Sequence, residues 1–366
     1  MIPVKQRPLY KQVEDFVRER IQQGEFGLHS KLPPTDVLAE RTGTSVFTVQ
    51  TALTSLCREG LLDRRAGHGT YVKQGRPVLT CAGIYLNRSF SRMDSAFYEL
   101  LAHDLRSKLA AAGIKTIVWS DDRDEEDQTC PMPSLQASID KREIQALIPI
   151  LICRNDLVWL QELPIATGMI THDLRVPQAV RSNYDQLLTE SIRALKQQGC
   201  KSLGVITNLV VDKRDTRSME IDFFRTLIDM AGQAGLETRN EWIQIAPRSC
   251  VHHPSFGHEA FGRIWQSKEK PDGLFVHPDG ISAGVVTGIL EYQVKVPQDL
   301  KVVFHANDQI PYPCPIPATF LVSQIGAYSD ALLRQVRLQM AGEISTPIEI
   351  DYTITSTNPF TSQPTT

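Results

Sequence analysis

Nowhere in these 366 residues do 18 apolar residues run together, and the N-terminus MIPVKQRPLYKQ has no apolar core of the kind a signal peptide carries. Both absences predict a chain that is neither exported nor membrane-spanning, and so cytoplasmic. The seven cysteines, at 57, 81, 130, 153, 200, 250 and 314, are scattered with no CxxC pair. An odd, dispersed set suits reduced thiols better than disulfides or a zinc site. The cluster His252, His253 and His258 falls in a Pro- and Ser-containing stretch read as a loop, and no metal is expected there. No Gly-x-Ser-x-Gly, paired-carboxylate or phosphate-loop motif stands out, so no catalytic residue is assigned and no cofactor is expected.

What is present is the composition of a globular chain, 42% hydrophobic and 22% charged, long enough for several cores. Its charge is uneven. Residues 1–76 hold 12 Lys or Arg against 8 Asp or Glu, about +4, while the remainder holds 27 against 34, about −7. A basic head on an acidic body is what a nucleic-acid reader with a separate sensing domain would show. A surplus of four is modest and predicts weak non-specific binding, hence a need for two heads acting together.

The head contains the most informative stretch, residues 26–73. Thr35 is placed to cap a helix ending at Gly43. Ser45 is placed to cap a second, in which Val49, Ala52, Leu53 and Leu56 share one apolar face. Val46, Phe47, Gln50, Thr51 and Thr54 then point outward. Leu61-Leu62 and Thr70-Tyr71-Val72 read as strands joined through Gly67-His68-Gly69. A buried helix, a three-residue turn, an exposed helix and a wing form a winged helix-turn-helix, which enters the DNA major groove. The order Pro8-Leu9-Tyr10, Gly24, Lys31-Leu32-Pro33, Leu38-Ala39, Ser45, Thr48-Val49, Ala52-Leu53, Leu56, Glu59-Gly60-Leu61 and Gly67-x-Gly69-Thr70-x-Val72 resembles the GntR family of bacterial transcription regulators. The resemblance covers about the first 75 residues and implies a DNA-binding head.

It also marks departures. The family's usual arginines at three DNA-facing sites are replaced here by Asp36, Val46 and Gln50. Guanine readout and backbone attraction should weaken accordingly. Gln50 can pair bidentately with adenine, and Val46 and Phe47 can rest on thymine methyls. The expected DNA-facing set is Ser45, Val46, Phe47, Thr48, Gln50 and Thr51, with Arg64, Arg65 and His68 from the wing.

Residues 74–79 (Gln-Gly-Arg-Pro-Val-Leu) read as a linker between domains 1–73 and 80–366, too short for the head to roam. Beyond it, apolar runs alternate with amphipathic helices. Strands are predicted at 81–86, 116–119, 146–150 and 165–170, with helices near 95–112, 134–141 and 155–161. A second set runs from Leu187: helix to Gln198, strand Leu203 to Ile206, helix 218–234, strand Trp242 to Ile245. Helix 257–266, strand Gly273 to Val276, helix 280–292 and strand Val302 to Phe304 complete it. The fold class is α/β: parallel sheets covered on both faces, in two lobes, with a cleft at the carboxyl ends of the strands.

The phrases Cys81-x-Gly83-Ile84, Ser182-Asn183-Tyr184-Asp185, Leu195-x-x-x-Gly199-Cys200-Lys201-x-Leu203, Lys270-Pro271-Asp272-Gly273-Leu274-Phe275, Asp279, Val296-Pro297-x-Asp299-Leu300 and Asn307-Asp308 resemble the effector-binding domain of LacI-type repressors. That domain is itself similar to periplasmic sugar-binding proteins. A GntR-type head on a LacI-type body is the arrangement of arabinose repressors of the AraR kind. The body family's sugar-clamping arginine aligns near Glu220, ahead of Phe223-Phe224, and Arg217 one turn earlier is the candidate to replace it.

Strand ends supply the other ligand candidates: Phe90 after the first strand, Asp121 after the second, His172 and Asp173 after the fourth, then Asp279 and Asp308. Carboxylates accept paired hydrogen bonds from adjacent hydroxyls, and an aromatic ring lies against the apolar face of a sugar. Asp279 leads, since it precedes Gly280 at a helix start and resembles the body family's ligand-facing aspartate. The whole reads as a homodimeric, cytoplasmic repressor of a catabolic operon, released from operator DNA by a sugar, sugar acid or polyol. Two alternatives stand beside it: a ligand-free body serving only dimerisation, and a fusion to a pyridoxal-phosphate enzyme. The second needs more residues than remain.

Overall fold

The computed structural model describes residues 8–360, apart from 28, 74–78, 89–95, 153, 174, 209–218, 247–252 and 357. The head is α1 (Leu9–Gln22), α2 (Thr35–Thr42), α3 (Val46–Arg58), β1 (Leu62–Arg65) and β2 (Gly69–Val72). One cluster holds it together: Val13 and Val17 of α1, Leu38 of α2, and Val49, Ala52, Leu53 and Leu56 of α3, closed by Leu62 and Val72 of the wing. Each such aliphatic side chain contributes about 1.5–3 kcal/mol on burial. Residues 30–32 add a third edge to the wing, with Leu32 N–H donating to Thr70 O at 2.8 Å. Thr35 is the first residue of α2, not its cap; Pro34 holds that place and no side chain caps the helix. Proline suits this end, where a missing N–H costs nothing. The turn into α3 depends on Gly43, whose φ of 63° is left-handed.

The first lobe is built from β3 (Cys81–Leu86), α4 (Phe97–Ala111), β4 (Lys115–Ser120), α5 (Pro133–Asp140), β5 (Ala146–Leu151), α6 (Arg154–Gln161), β6 (Ala166–Thr167), β7 (Met169–Ile170) and β8 (Ala179–Ser182). Its parallel sheet runs β4-β3-β5-β6. The strand expected at 165–170 is broken at Gly168, where a Cβ would stand 2.6 Å from the Leu332 carbonyl oxygen. The strand bends there to admit another helix.

The second lobe follows: α7 (Tyr184–Gln197), β9 (Leu203–Thr207), α8 (Met219–Gln233), β10 (Ile243–Ile245), α9 (His253–Trp265), β11 (Gly273–His277), α10 (Asp279–Glu291), β12 (Lys301–Asn307) and β13 (Thr319–Ser323). Helix α9 starts four residues before the expected 257, so His253 is helical rather than in a loop. Pro254 falls in its first turn, where proline is tolerated. The fold also gives His258 a carboxylate partner, Glu291, at 2.5 Å.

The chain then returns to the first lobe, which the sequence reading did not anticipate. Helix α11 (Ile325–Met340) packs Tyr328, Leu332 and Val336 into the first-lobe core beside α4, and it is the helix that breaks the strand at Gly168. β14 (Ile348–Ile350) pairs with β8, and β15 (Thr353–Thr355) crosses back to pair antiparallel with β13. The second-lobe sheet is β10-β9-β11-β12-β13-β15, parallel except for that last strand. The chain thus passes between lobes at Asn183, at Gln324 and after Ile350. The carboxyl ends of β7, β11 and β12 meet these crossings.

Candidate DNA interface and ligand cleft

The outward face of α3 is displayed as its spacing implies. Phe47 is 78% exposed and Val46 43%, an unusual degree for apolar residues at a helix start. Gln50, Thr51 and Thr54 are exposed beside them. Ser45 caps the helix, its Oγ accepting from Thr48 N–H at 3.1 Å and lying 2.8 Å from Thr48 Oγ1. The Thr51 hydroxyl donates back to the Phe47 carbonyl at 2.9 Å, which leaves its methyl as the groove-facing group. On the wing, Arg64 and His68 are exposed. Arg65 is less available than expected: its Nε donates to Asp63 at 3.1 Å and its guanidinium lies over Tyr71, 4.4 Å from the ring centre.

The ligand candidates sort by what already holds them. Phe90 and Arg217 lie outside the described residues, and of Glu220 and Phe223-Phe224 only the helical backbone is described. Asp121 is buried beneath Arg123, whose Nη2 donates at 2.6 Å and Nε at 2.8 Å, with the Tyr85 hydroxyl at 3.1 Å. Burial alone would raise its pKa; these hydrogen bonds outweigh burial and hold it below the ordinary carboxylate range. Asp173 accepts from Arg175 N–H at 2.9 Å and Arg175 Nε at 2.8 Å. Asp308 caps α11 by accepting from Ile325 N–H at 3.1 Å. These three carboxylates have their bonds in turns and caps, the ordinary use of aspartate at such positions.

Asp279 differs. It is 6% exposed at the first turn of α10, accepting from Asn307 Nδ2 at 2.8 Å, while its own N–H donates to His305 Nδ1 at 3.1 Å. That last bond fixes the tautomer: Nδ1 accepts, so the proton of His305 is on Nε2 and the ring is neutral. Around Asp279 the fold gathers a chain of rings. His172 stacks on Tyr184 at 4.6 Å, with the Tyr184 hydroxyl 3.3 Å from His172 Nε2. Tyr184 meets His277 edge-on at 6.0 Å; His277 lies 4.8 Å from His305, and His305 lies 5.7 Å from Tyr352. His172 belongs to the first lobe, Tyr184 and Tyr352 to the crossings, and His277 and His305 to the second.

Burial lowers all three imidazoles. His172 is pushed down to about 4, Arg181 adding to the effect. His277 falls well below its ordinary value through burial and its histidine neighbours, and His305 falls despite Asp279. Neutral imidazoles carry one donor and one acceptor each, a match for hydroxyl groups. Of this group the sequence reading had His172 and Asp279. It missed His277, His305 and Asn307 because it stopped β11 at Val276 and β12 at Phe304, leaving the final inward-facing residues unplaced.

Comparison with known proteins finds separate matches for the head and for part of the body. Residues 9–72 match the family described as "Bacterial regulatory proteins, gntR family", and residues 192–356 match "Periplasmic binding protein-like domain". The chain is 40% identical over 70 residues to the mannosyl-D-glycerate transport/metabolism system repressor MngR of Escherichia coli (strain K12). That alignment spans 19% of this chain and 29% of the repressor, less than a third of its length. Two solved structures share the fold over the body: transcription regulator CcpA of Lactococcus lactis (TM-score 0.59, 15% identity) and the Escherichia coli transcriptional repressor ascG (TM-score 0.60, 14% identity). Each covers 77% of this chain and 99% of its own. The chain therefore carries a head similar to the gntR-family regulatory domain and a body similar in fold to periplasmic-binding-protein-like domains.

Proposed function

We propose that this chain is a one-component transcription regulator: a cytoplasmic homodimer that represses a catabolic operon and leaves its operator when a sugar or other small polyol binds between the lobes. The observation that carries the DNA-binding part is the capped, exposed start of α3, where Val46, Phe47 and Gln50 stand clear of the head's core. Solvent-exposed aromatic and aliphatic groups beside a carboxamide suit an A·T-rich major groove, thymine methyls against Val46 and Phe47 and adenine against Gln50. The ligand part draws on Asp279, Asn307 and the neutral histidines at the carboxyl ends of β7, β11 and β12. Among relatives, the mannosyl-D-glycerate transport/metabolism system repressor is named for a carbohydrate derivative, which supports that ligand class.

Selection from a randomised duplex library with the full-length protein tests the first part. The expected product is a two-fold symmetric, A·T-containing site; recovery of no preferred sequence at low salt would remove the DNA reading. The second reading, a body that only dimerises, has one observation in its favour: Asp121, Asp173 and Asp308 are all engaged within the protein. A thermal-shift screen against sugars, sugar acids and polyols separates the two. A ligand at 100 times its dissociation constant should add about 2.7 kcal/mol of stability.

A further inference from the structure

Arg142 of the first lobe is paired with the head. Arg142 stands in the turn between α5 and β5, at the opposite end of the sheet from the ligand cleft. Its guanidinium reaches three head carboxylates: Glu59 at 3.0 Å, Glu14 at 3.1 Å and Asp15 at 3.3 Å. Glu59 is the C-terminal cap of α3, the helix that displays Val46, Phe47 and Gln50. Glu14 and Asp15 belong to α1. Lys11 and Arg18 complete the group, Lys11 lying 3.6 Å from Glu14 and Arg18 pairing with Glu59. Three anions thus face three cations, and only one of the six comes from the body.

The burial of Glu14 makes that one decisive. Its side chain is wholly inaccessible, and its ion pairs are Lys11 and Arg142. Arg142 supplies a second cation to that buried carboxylate beside Lys11, which favours the docked head. The planar fork of arginine serves two or three carboxylates together, which a lysine cannot do.

The backbone of Arg142 gives an independent sign. Glu143 N–H donates to Ser138 O and Arg142 N–H to Ile139 O, both at 2.9 Å, so α5 ends in a Schellman motif with Arg142 at its left-handed position. Its φ is 56°. Glycine is the usual occupant; a long side chain there is tolerated where its surroundings over-determine it. Here the surroundings are the carboxylates of the head.

We propose that Arg142 is a positioning residue for DNA reading: it holds α3 at a fixed angle on the first lobe, and so sets the half-site spacing at which two heads bind together. This rests on the regulator reading above. It adds that head orientation is a property of the body, transmitted through the end of the recognition helix itself.

Full-length Arg142→Gly and Arg142→Lys test it. Glycine keeps the left-handed turn while removing the whole side chain; Glu14 keeps Lys11 and Glu59 keeps Arg18 within the head, so the head is expected to stay folded. The first readout needs no DNA: nitrogen-15 relaxation of head amides, referred to the body's tumbling. In wild type the head order parameters should equal those of rigid backbone, ~0.85, and in Arg142→Gly they should fall toward ~0.6. The second is affinity for paired half-sites whose separation is stepped by single base pairs. Wild type should lose roughly 100-fold half a turn off its optimum, and Arg142→Gly less than about tenfold, with base preference inside each half-site unchanged. Arg142→Lys should fall between. Unchanged order parameters, or an unchanged spacing profile in a loosened head, would overturn the proposal. If wild type binds no duplex at any spacing, the regulator reading fails, and the relaxation measurement still decides whether Arg142 fixes the head.

Discussion

Gln50 stands exposed one helical turn from the Ser45 cap, with its carboxamide beside Phe47 and Val46 on the same face. Gln50→Ala is expected to relax the choice at one base pair per half-site by about 1–3 kcal/mol, leaving other positions as they were. Binding-site selection with the variant checks it; an unchanged base preference would mean that α3 presents another face. Asp279 has its own prediction. Replacing it by alanine removes a carboxylate whose hydrogen bonds to hydroxyls are worth roughly 1.5–3 kcal/mol each before desolvation. Effector affinity should drop by roughly 10- to 100-fold, while operator affinity without effector stays near wild type, and calorimetric titration of both variants separates the two. At this scale the sequence was most legible where a residue's role is set by its own helix. The inward face of α3 and its outward face follow from spacing alone. It was least legible where roles depend on distant partners. Nothing local in Asp121 announces Tyr85, and nothing in His305 announces the Asp279 N–H that fixes its tautomer.

The elements themselves were recovered where periodicity is long and lost where it is short. Helices α2, α3, α4, α7 and α10, and the apolar strands β3, β5, β9 and β11, are visible as patterns in the chain, whereas α1 was not read from it. β14 and β15, at three residues each, are too short to carry a period, and β13 follows a segment with prolines at 311, 313, 315 and 317. Helix α11 has an apolar face, but its burial in the first lobe is a fact of tertiary packing. Two element-level predictions follow from caps and close approaches. Ser45→Ala should cost about 1 kcal/mol of head stability by leaving the Thr48 N–H without its cap, read in a thermal melt. Gly168→Ala should cost about 1–3 kcal/mol, since the new methyl meets the Leu332 carbonyl of α11 and neither backbone yields easily. A melting temperature equal to wild type for Gly168→Ala would show that the contact between strand and helix is looser than its geometry.

For the whole molecule, the buried histidines couple fold and cleft to acidity. Their folded values lie below the ordinary 6.5, near 4 for His172. Above pH 6.5 both folded and unfolded forms are neutral and no penalty arises. As pH falls from about 6.5 to 4, the unfolded chain takes up protons that the folded one refuses, so stability drops by up to about 1.4 kcal/mol per pH unit for each desolvated ring. Denaturant titrations across this window should show the decline, and His277→Gln should shallow it; a flat profile would contradict neutral, desolvated rings. In the proposed regulator, ligand closure of the two lobes has to reach a head held by Arg142 at the far end of the first lobe. That coupling is tested most directly by titrating the effector into full-length protein, free and saturated with operator, in a calorimeter. The account predicts a dissociation constant weaker on operator by a factor of roughly 5–150, equal to the factor by which effector weakens operator binding. The same dissociation constant in both states, with operator still bound, would contradict it.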